Sequence, residues 1–467
     1  MSSCEKNLTF QEKELAILRA AVDLAEENAG KKIAQSDEVK KIIQIVETFL
    51  RNKKLICYGG TAINNILPVD DQFYDKDVEI PDYDFFSHSA LTHAKELADI
   101  YADAGYTDVE AKSGVHHGTF KVYVNFIPVA DITYIPKPLF KSLTNHAIKV
   151  NGILYCPPNY LRMGMYLELS RPKGDVSRWE KVLKRLVLLN KNYPMQNPRC
   201  NHIDFMRDFE SKNNDANDIY TTVRDSFTDQ GLVFFGGYAS SLYSKFMPKK
   251  NREMFKRKNP DFDVLSEDPE TSATILKERL QDEGFQKVKM HKHHGFGEII
   301  SPHYEVSVGA DTVAFIYQPL ACHSYNIIRL GGKKVKVATI DTMLSFFLAF
   351  LYADRPYYDH DRIICMSQYL FKVQARNRLK QTGVLKRFSL NCIGVQKTLE
   401  NSRAEKSAMF EKLKSKRGTK EYDEWFLRYA PGEKKATKAT KAKRKTRGKK
   451  KRKRTKRKTK KRGLFGF

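Results

Sequence analysis

The sequence predicts an α/β (α+β) protein made of two copies of one unit of mixed sheet plus helices. A helical N-terminal region precedes the copies and a disordered basic C-terminal tail follows them. Three observations predict this. A short apolar strand runs into a Gly-Gly turn at Leu55–Thr61 and again at Leu232–Tyr238. An Asp-aromatic-Asp triplet follows each turn, Asp82-Tyr83-Asp84 and Asp261-Phe262-Asp263. A His-His-Gly comes next in both, His116-His117-Gly118 and His293-His294-Gly295. Three matches in one order at similar spacings read as an internal duplication.

The elements follow in order. Thr9-Phe10-Gln11-Glu12 has the form of a capping box, and Leu15, Leu18, Val22 and Ala25 continue at helical spacing. Ser36 is placed to cap a second helix with Val39, Ile42, Val46 and Phe49 on one face. Leu55–Tyr58 reads as a buried strand, Val78–Phe86 as a second, and Thr119–Phe126 as an alternating third carrying Phe120, Val122, Val124 and Phe126 inward. Ser177-Arg178-Trp179-Glu180 repeats the capping-box pattern and starts a helix to about Leu189. The prolines of Tyr193–Pro198 mark a linker. The predicted organisation is a helical region over 1–50, one unit over 51–195, its second copy over 205–385, a helical region over 386–430 and the tail over 431–467.

Composition sets limits. The chain has 467 residues, enough for two or three domains with their own cores, and it is 41% hydrophobic. The longest apolar stretch, Met343–Tyr352, is half the roughly twenty residues a membrane span needs, so it reads as a buried helix. Met1–Lys6 lacks the apolar run of a secretory leader. Seven cysteines scattered singly fit reduced thiols inside a cell better than a disulfide framework or a zinc ribbon. Of the 82 basic residues, 20 lie in 431–467 beside a single acid, Glu433. Such a segment has no apolar face with which to fold. It suits polyanions through counterion release, with a targeting or solvating role as its alternative.

The chemistry concentrates in the first copy. Residues two apart on a strand share a face, so Asp82 and Asp84 project together. Asp131, in Val129-Ala130-Asp131-Ile132, sits on a later alternating segment and brings a third carboxylate. Clustered carboxylates need positive charge to stay ionised. Mg²⁺ supplies it, being a hard ion that takes oxygen ligands, and a pair of such ions clamps the oxygens of an in-line phosphoryl displacement. Gly59-Gly60-Thr61, turning into a helix, offers N–H groups and a hydroxyl to a triphosphate. On the helix after Ser177, Arg178, Lys181 and Arg185 form a basic stripe opposite Trp179, Val182, Leu183 and Leu186. Lys173 on the preceding Pro/Gly turn is a further candidate for phosphate.

Gly-Gly-Thr, Asp-x-Asp and a later Asp resemble the signature of the DNA polymerase β-like nucleotidyltransferase superfamily. Tyr58–Asn64, Asp82–Ser87, Val129–Ile132 and Arg171–Lys181 resemble the poly(A) polymerase catalytic subunits of large DNA viruses, of the poxvirus and giant-virus type. The resemblance implies template-independent addition of AMP from ATP to the 3′ end of mRNA with two Mg²⁺ or Mn²⁺ ions. It implies Asp82, Asp84 and Asp131 as catalytic metal ligands, with Gly59, Gly60 and Thr61 near the triphosphate; Arg178, Lys181 and Lys173 are nucleotide candidates on the charge pattern alone, with a solvated face of a packed helix as the alternative. It also leaves room for a homodimer or a viral processivity partner, implies no membrane, and points to an intracellular site, a viral factory or virion, with the host cytoplasm ahead of the nucleus. One departure stands out. Asp82 follows Gly60 by 22 residues, longer than the superfamily's usual gap, so the insert bearing Asp70, Asp71, Asp75, Asp77 and Glu79 is expected to loop out.

The second copy keeps Gly236-Gly237 and Asp261-Phe262-Asp263, but its third acid is ambiguous. Local residue matching aligns Phe315 with Asp131, whereas spacing favours Asp311. The local match reads this copy as degenerate. Tyr304, Phe315 and Tyr317 are candidates to stack on bases, with core packing as the alternative. His291, His293 and His294 raise zinc, against which their echo at His116 and His117 favours a structural role. Two other functions stay open: a non-catalytic RNA-binding scaffold, and a nucleotidyltransferase with another acceptor.

Overall fold

A computed structural model describes residues 9–34, 36–75, 79–201, 203, 215–247, 252 and 260–432. All of the basic tail beyond Gly432, and Asp77 and Val78 of the insert, lie outside the described residues. The first copy and its approach comprise α1 (Phe10–Ala34), α2 (Asp37–Lys53), β1 (Ile56–Cys57), α3 (Gly59–Ile66), β2 (Tyr83–Ser87), α4 (Ala90–Asp103), β3 (Val109–Ser113), β4 (Thr119–Val124), β5 (Ile127–Tyr134), α5 (Lys137–Asn145), β6 (Ile148–Val150), β7 (Ile153–Tyr155), α6 (Pro158–Leu169) and α7 (Trp179–Asn192). Then come α8 (Ala216–Asp229), β8 (Val233–Phe235), α9 (Gly236–Ser244), β9 (Phe262–Leu265), α10 (Pro269–Asp282), β10 (Val288–His293), β11 (His303–Val308), β12 (Asp311–Tyr317), β13 (His323–Leu330), β14 (Lys333–Ala338), α11 (Ile340–Phe350) and α12 (His360–Asn377). The chain closes with β15 (Cys392–Ile393), α13 (Leu399–Leu413), α14 (Lys420–Phe426) and β16 (Arg428–Tyr429).

The described residues form two compact units, one within Met1–Lys53, Lys76–Tyr134 and Lys406–Phe467, the other within Lys54–Asp75 and Ile135–Glu405. In the first, the strands run β16-β3-β4-β5-β2, antiparallel except for the parallel pair β2–β5. Phe120, Val122 and Val124 of β4 and Phe85 of β2 are buried, and α4 packs on β3, β4 and β5. Helix α2 buries Val39, Ile42, Val46 and Phe49, as its spacing predicts. Tyr101 of α4 donates its hydroxyl to the carbonyl of Ile42, 2.7 Å away, which ties the two helices together.

The second unit holds β1-β7-β6 and a sheet of order β10-β11-β12-β9-β8-β14-β13-β15. Its α11 is buried along its whole length and packs on α6, so the apolar stretch is a core helix. No helix among the described residues is long and apolar enough to cross a membrane.

The duplication is structural. Strand pair β2–β5 is parallel, and so is β9–β12; β1–β7 and β8–β14 are parallel likewise. The antiparallel pairs β4–β5 and β11–β12 each slip register at the same place, between Val122 and Tyr123 and between Val306 and Ser307. Gly59 and Gly236 open α3 and α9 with φ of 74° and 73°.

Several local expectations are corrected. The second strand begins at Tyr83, after Pro81. The third ends at Val124, because Asn125 and Phe126 take positive φ in the hairpin turn and leave Phe126 exposed. The helix after Ser177 starts at Trp179, and the cap is Asp175, whose carboxylate accepts from the Ser177 amide in a preceding 3₁₀ turn. Leu15, Leu18 and Val22 of α1 are exposed. Cysteines pair where reduced thiols were expected: Cys200 with Cys365 and Cys322 with Cys392, 165 and 70 residues apart; among the described residues Cys57 and Cys156 stay free and buried, and Cys4 lies outside them. No local spacing announces such pairs.

Candidate active site

Within the first unit, register sets the acids. Asp84 on β2 is the partner of Asp131 on β5, and Asp131 is the partner of Lys121 on β4. Register continues outward to Lys112 on β3 and Arg428 on β16. Partners across adjacent strands share a face, so two acids and three bases form one row across five strands. Alternation explains why this face is polar: Phe120 and Val122 turn inward on β4 and send Lys121 the other way.

Lys121 forms an ion pair with Oδ2 of Asp131. Oδ1 of Asp131 is buried and has no hydrogen-bond partner among the described residues. A buried carboxylate oxygen left unmatched is costly, and it is the kind of atom a hard cation satisfies. Asp82 lies just before β2 and reaches solvent. Partial loss of hydration still raises its pKa, helped by the charge of Asp131 and opposed by that of Lys121. Burial pulls the Lys121 ammonium down, but its hydrogen bond to Asp131 and the charges of Asp131, Tyr123 and Asp82 outweigh this and raise it. Among the described residues no three acid, imidazole or thiol groups converge as a formed metal cage. The donor chemistry fits Mg²⁺ or Mn²⁺.

The Gly-Gly turn belongs to the second unit, as does the insert up to Asp75. That part, which carries Asp70, Asp71 and Asp75, does not loop out. Asn64 on α3 accepts from the amides of both Phe73 and Tyr74 through its side-chain oxygen, at 2.7 and 2.9 Å. Lys191 and Asn192 of α7 hold the Asp71 carboxylate, each at 2.8 Å. Arg185 of α7 donates to the Tyr74 hydroxyl at 2.7 Å and lies against the rings of Phe73 and Tyr74. This first part of the insert is therefore a strap folded back onto α3 and α7. Its tip crowds Gly60, where a Cβ would stand 2.4 Å from the Tyr74 hydroxyl and 2.9 Å from the Arg185 guanidinium. Thr61 is buried in the first turn of α3.

The basic stripe divides. Arg178 pairs with Glu168, Lys181 and Lys173 are exposed, and Arg185 alone of the stripe reaches the Gly-Gly turn. Trp179 donates its indole N–H to the carbonyl of Glu168 and packs against Phe388. Sequence reasoning missed the Tyr74 strap and Lys121. Lys121 was readable as the polar alternate between Phe120 and Val122; the strap's fold depends on contacts over a hundred residues away.

In the second copy, the partner of Asp263 is Phe315, and Glu305 faces Phe315 where Lys121 faces Asp131. Asp311 sits at the other end of β12, opposite Val308. Tyr304, Phe315 and Tyr317 are all buried. Of the three candidate histidines, His293 bonds Glu305 at 2.8 Å while His291 and His294 are exposed; the buried His303 bonds Tyr357 at 3.0 Å. Asp263 fills the space beside Gly236.

Residues 44–175 match the sequence family described as poly(A) polymerase catalytic subunit. A putative poly(A) polymerase catalytic subunit of African swine fever virus (strain Badajoz 1971 Vero-adapted) is 34% identical over 173 residues, 36% of each chain. The chain thus spans about a third of that relative's length. A putative poly(A) polymerase catalytic subunit of Acanthamoeba polyphaga mimivirus is 24% identical over 424 residues, 82% of this chain and 71% of the relative. The crystal structure of the Megavirus polyadenylate synthase superposes with a TM-score of 0.76 at 20% identity, over 93% of this chain and 88% of that one. The two share a fold.

Proposed function

We propose that this chain, whose residues 44–175 belong to the poly(A) polymerase catalytic-subunit family, is a nucleotidyltransferase that adds AMP from ATP to the 3′ end of mRNA without a template. The observation that carries the reading is the register pair Asp84–Asp131, with a buried Asp131 oxygen that has no hydrogen-bond partner among the described residues, inside the matched region. Asp82, Asp84 and Asp131 would hold two Mg²⁺ or Mn²⁺ ions, which supply a lowered pKa for the attacking hydroxyl and charge for the leaving pyrophosphate. The chain's own part is to bind and orient. Gly59 and Gly60 present backbone N–H groups to the triphosphate, Thr61 adds a hydroxyl, and exposed Lys181 and Lys173, with Arg178 on its Glu168 pair, furnish positive charge nearby in sequence. The second copy, with Phe315 in the acid's place, serves as scaffold.

The RNA partner is supported by the chain's net charge of +27. A second copy or a viral processivity subunit is the fitting protein partner, and a viral factory, a virion or the host cytoplasm the fitting place. The test is a labelled RNA primer incubated with each NTP separately and Mg²⁺ or Mn²⁺. Long ladders with ATP alone support the reading. Extension with CTP or UTP instead moves it to another nucleotidyltransferase, and RNA binding without extension by any NTP moves it to a scaffold.

A further inference from the structure

We infer that Lys121 is a built-in counter-ion that holds Asp131 while the metal site is empty and must leave it for the divalent ion to bind. The inference rests on the metal reading above and goes beyond it by assigning a residue that competes with the cation. Its basis is the asymmetry of one carboxylate: Oδ2 of Asp131 is taken by the Lys121 ammonium, while buried Oδ1 has no partner among the described residues. A cation seeking Asp131 finds one oxygen waiting and the other occupied.

The second copy provides an internal comparison. The same antiparallel pair, with the same register slip, carries Glu305 and Phe315 where the first carries Lys121 and Asp131. The lysine is absent where the acid is absent, which fits a base placed to serve that acid rather than the strand. Lys121 also has somewhere to go. A third of its side chain is exposed, and a flexible four-carbon stem lets the ammonium swing toward solvent without moving β4. Lys121 is thus a positioning residue that sets the metal concentration at which the site fills.

The test is Mn²⁺ binding to the full chain, read by EPR of free Mn²⁺ without nucleotide or RNA, for wild type, Lys121→Met, Lys121→Arg and Asp131→Asn. Circular dichroism checks that each variant is folded. The site in question is the one lost in Asp131→Asn. Removing one competing charge contact should tighten it about tenfold in Lys121→Met, while Lys121→Arg stays near wild type. Equal or weaker binding by Lys121→Met, with wild type binding normally, overturns the inference alone. No Asp131-dependent binding in wild type overturns the metal reading along with it.

Discussion

Asp84 and Asp131 are register partners on parallel strands β2 and β5. Strand pairing, rather than a loop, therefore fixes the separation of the two carboxylate-bearing backbones. A sheet holds such a pair more firmly than a turn does, and precise placement is what a metal-dependent transfer requires. The duplicated copy shows the same backbone arrangement with Asp263 opposite Phe315, so the fold persists without the second acid.

Gly60 is confined by Tyr74 and Arg185. Gly60→Ala should push the strap from α3, because the new methyl cannot coexist with the Tyr74 hydroxyl. The expected outcome is a several-fold higher KM for ATP with a small loss of thermal stability. Tyr74→Phe in the Gly60→Ala background should partly restore KM. Steady-state kinetics at varied ATP checks both.

Burial drops the pKa of His303 to about 4 and that of His323 to about 3 from an ordinary 6.5; the Ser301 carbonyl opposes the shift of His303, and the charge of Arg171 adds to that of His323. Above pH 6.5 both residues are neutral folded or unfolded, and stability is level. Below it, the unfolded chain takes up protons that the folded chain refuses. Stability should fall as pH drops from 6.5 toward 4, by about 1 kcal/mol per pH unit for each histidine. Urea titrations across this range check it, and His303→Gln should reduce the slope by about one proton.

Asp341 on α11 is fully buried and accepts from Arg387 Nε and Nη2 and from Gln374. Asp341→Ala leaves a largely buried guanidinium unpaired, which should cost about 3–5 kcal/mol. Chemical denaturation measures it, and a loss below about 1 kcal/mol would contradict the pairing.

Much of this was legible in residues. Period-two alternation put Asp84 and Asp131 on paired strands, whereas Asp82 lies just before β2, and local matching chose Phe315 over Asp311 because loop length drifts while strand register does not. Contacts distant in sequence were not legible. The strap depends on Asp71 meeting Lys191 and Asn192, 120 and 121 residues away. The edge strand β16 joins β3 from the far end of the chain, and the pairs Cys200–Cys365 and Cys322–Cys392 close only when the second unit folds. Arg178 was readable as a cation but not as the partner of Glu168, since that pairing depends on how α7 follows α6.

The most direct measurement is RNA primer extension with ATP and Mg²⁺ by Asp131→Asn and by Asp263→Asn, side by side with RNA binding. The account predicts that Asp131→Asn loses at least about a thousandfold in rate and still binds RNA, while Asp263→Asn extends the primer within a few-fold of wild type. Full activity of Asp131→Asn, or loss confined to Asp263→Asn, would contradict it.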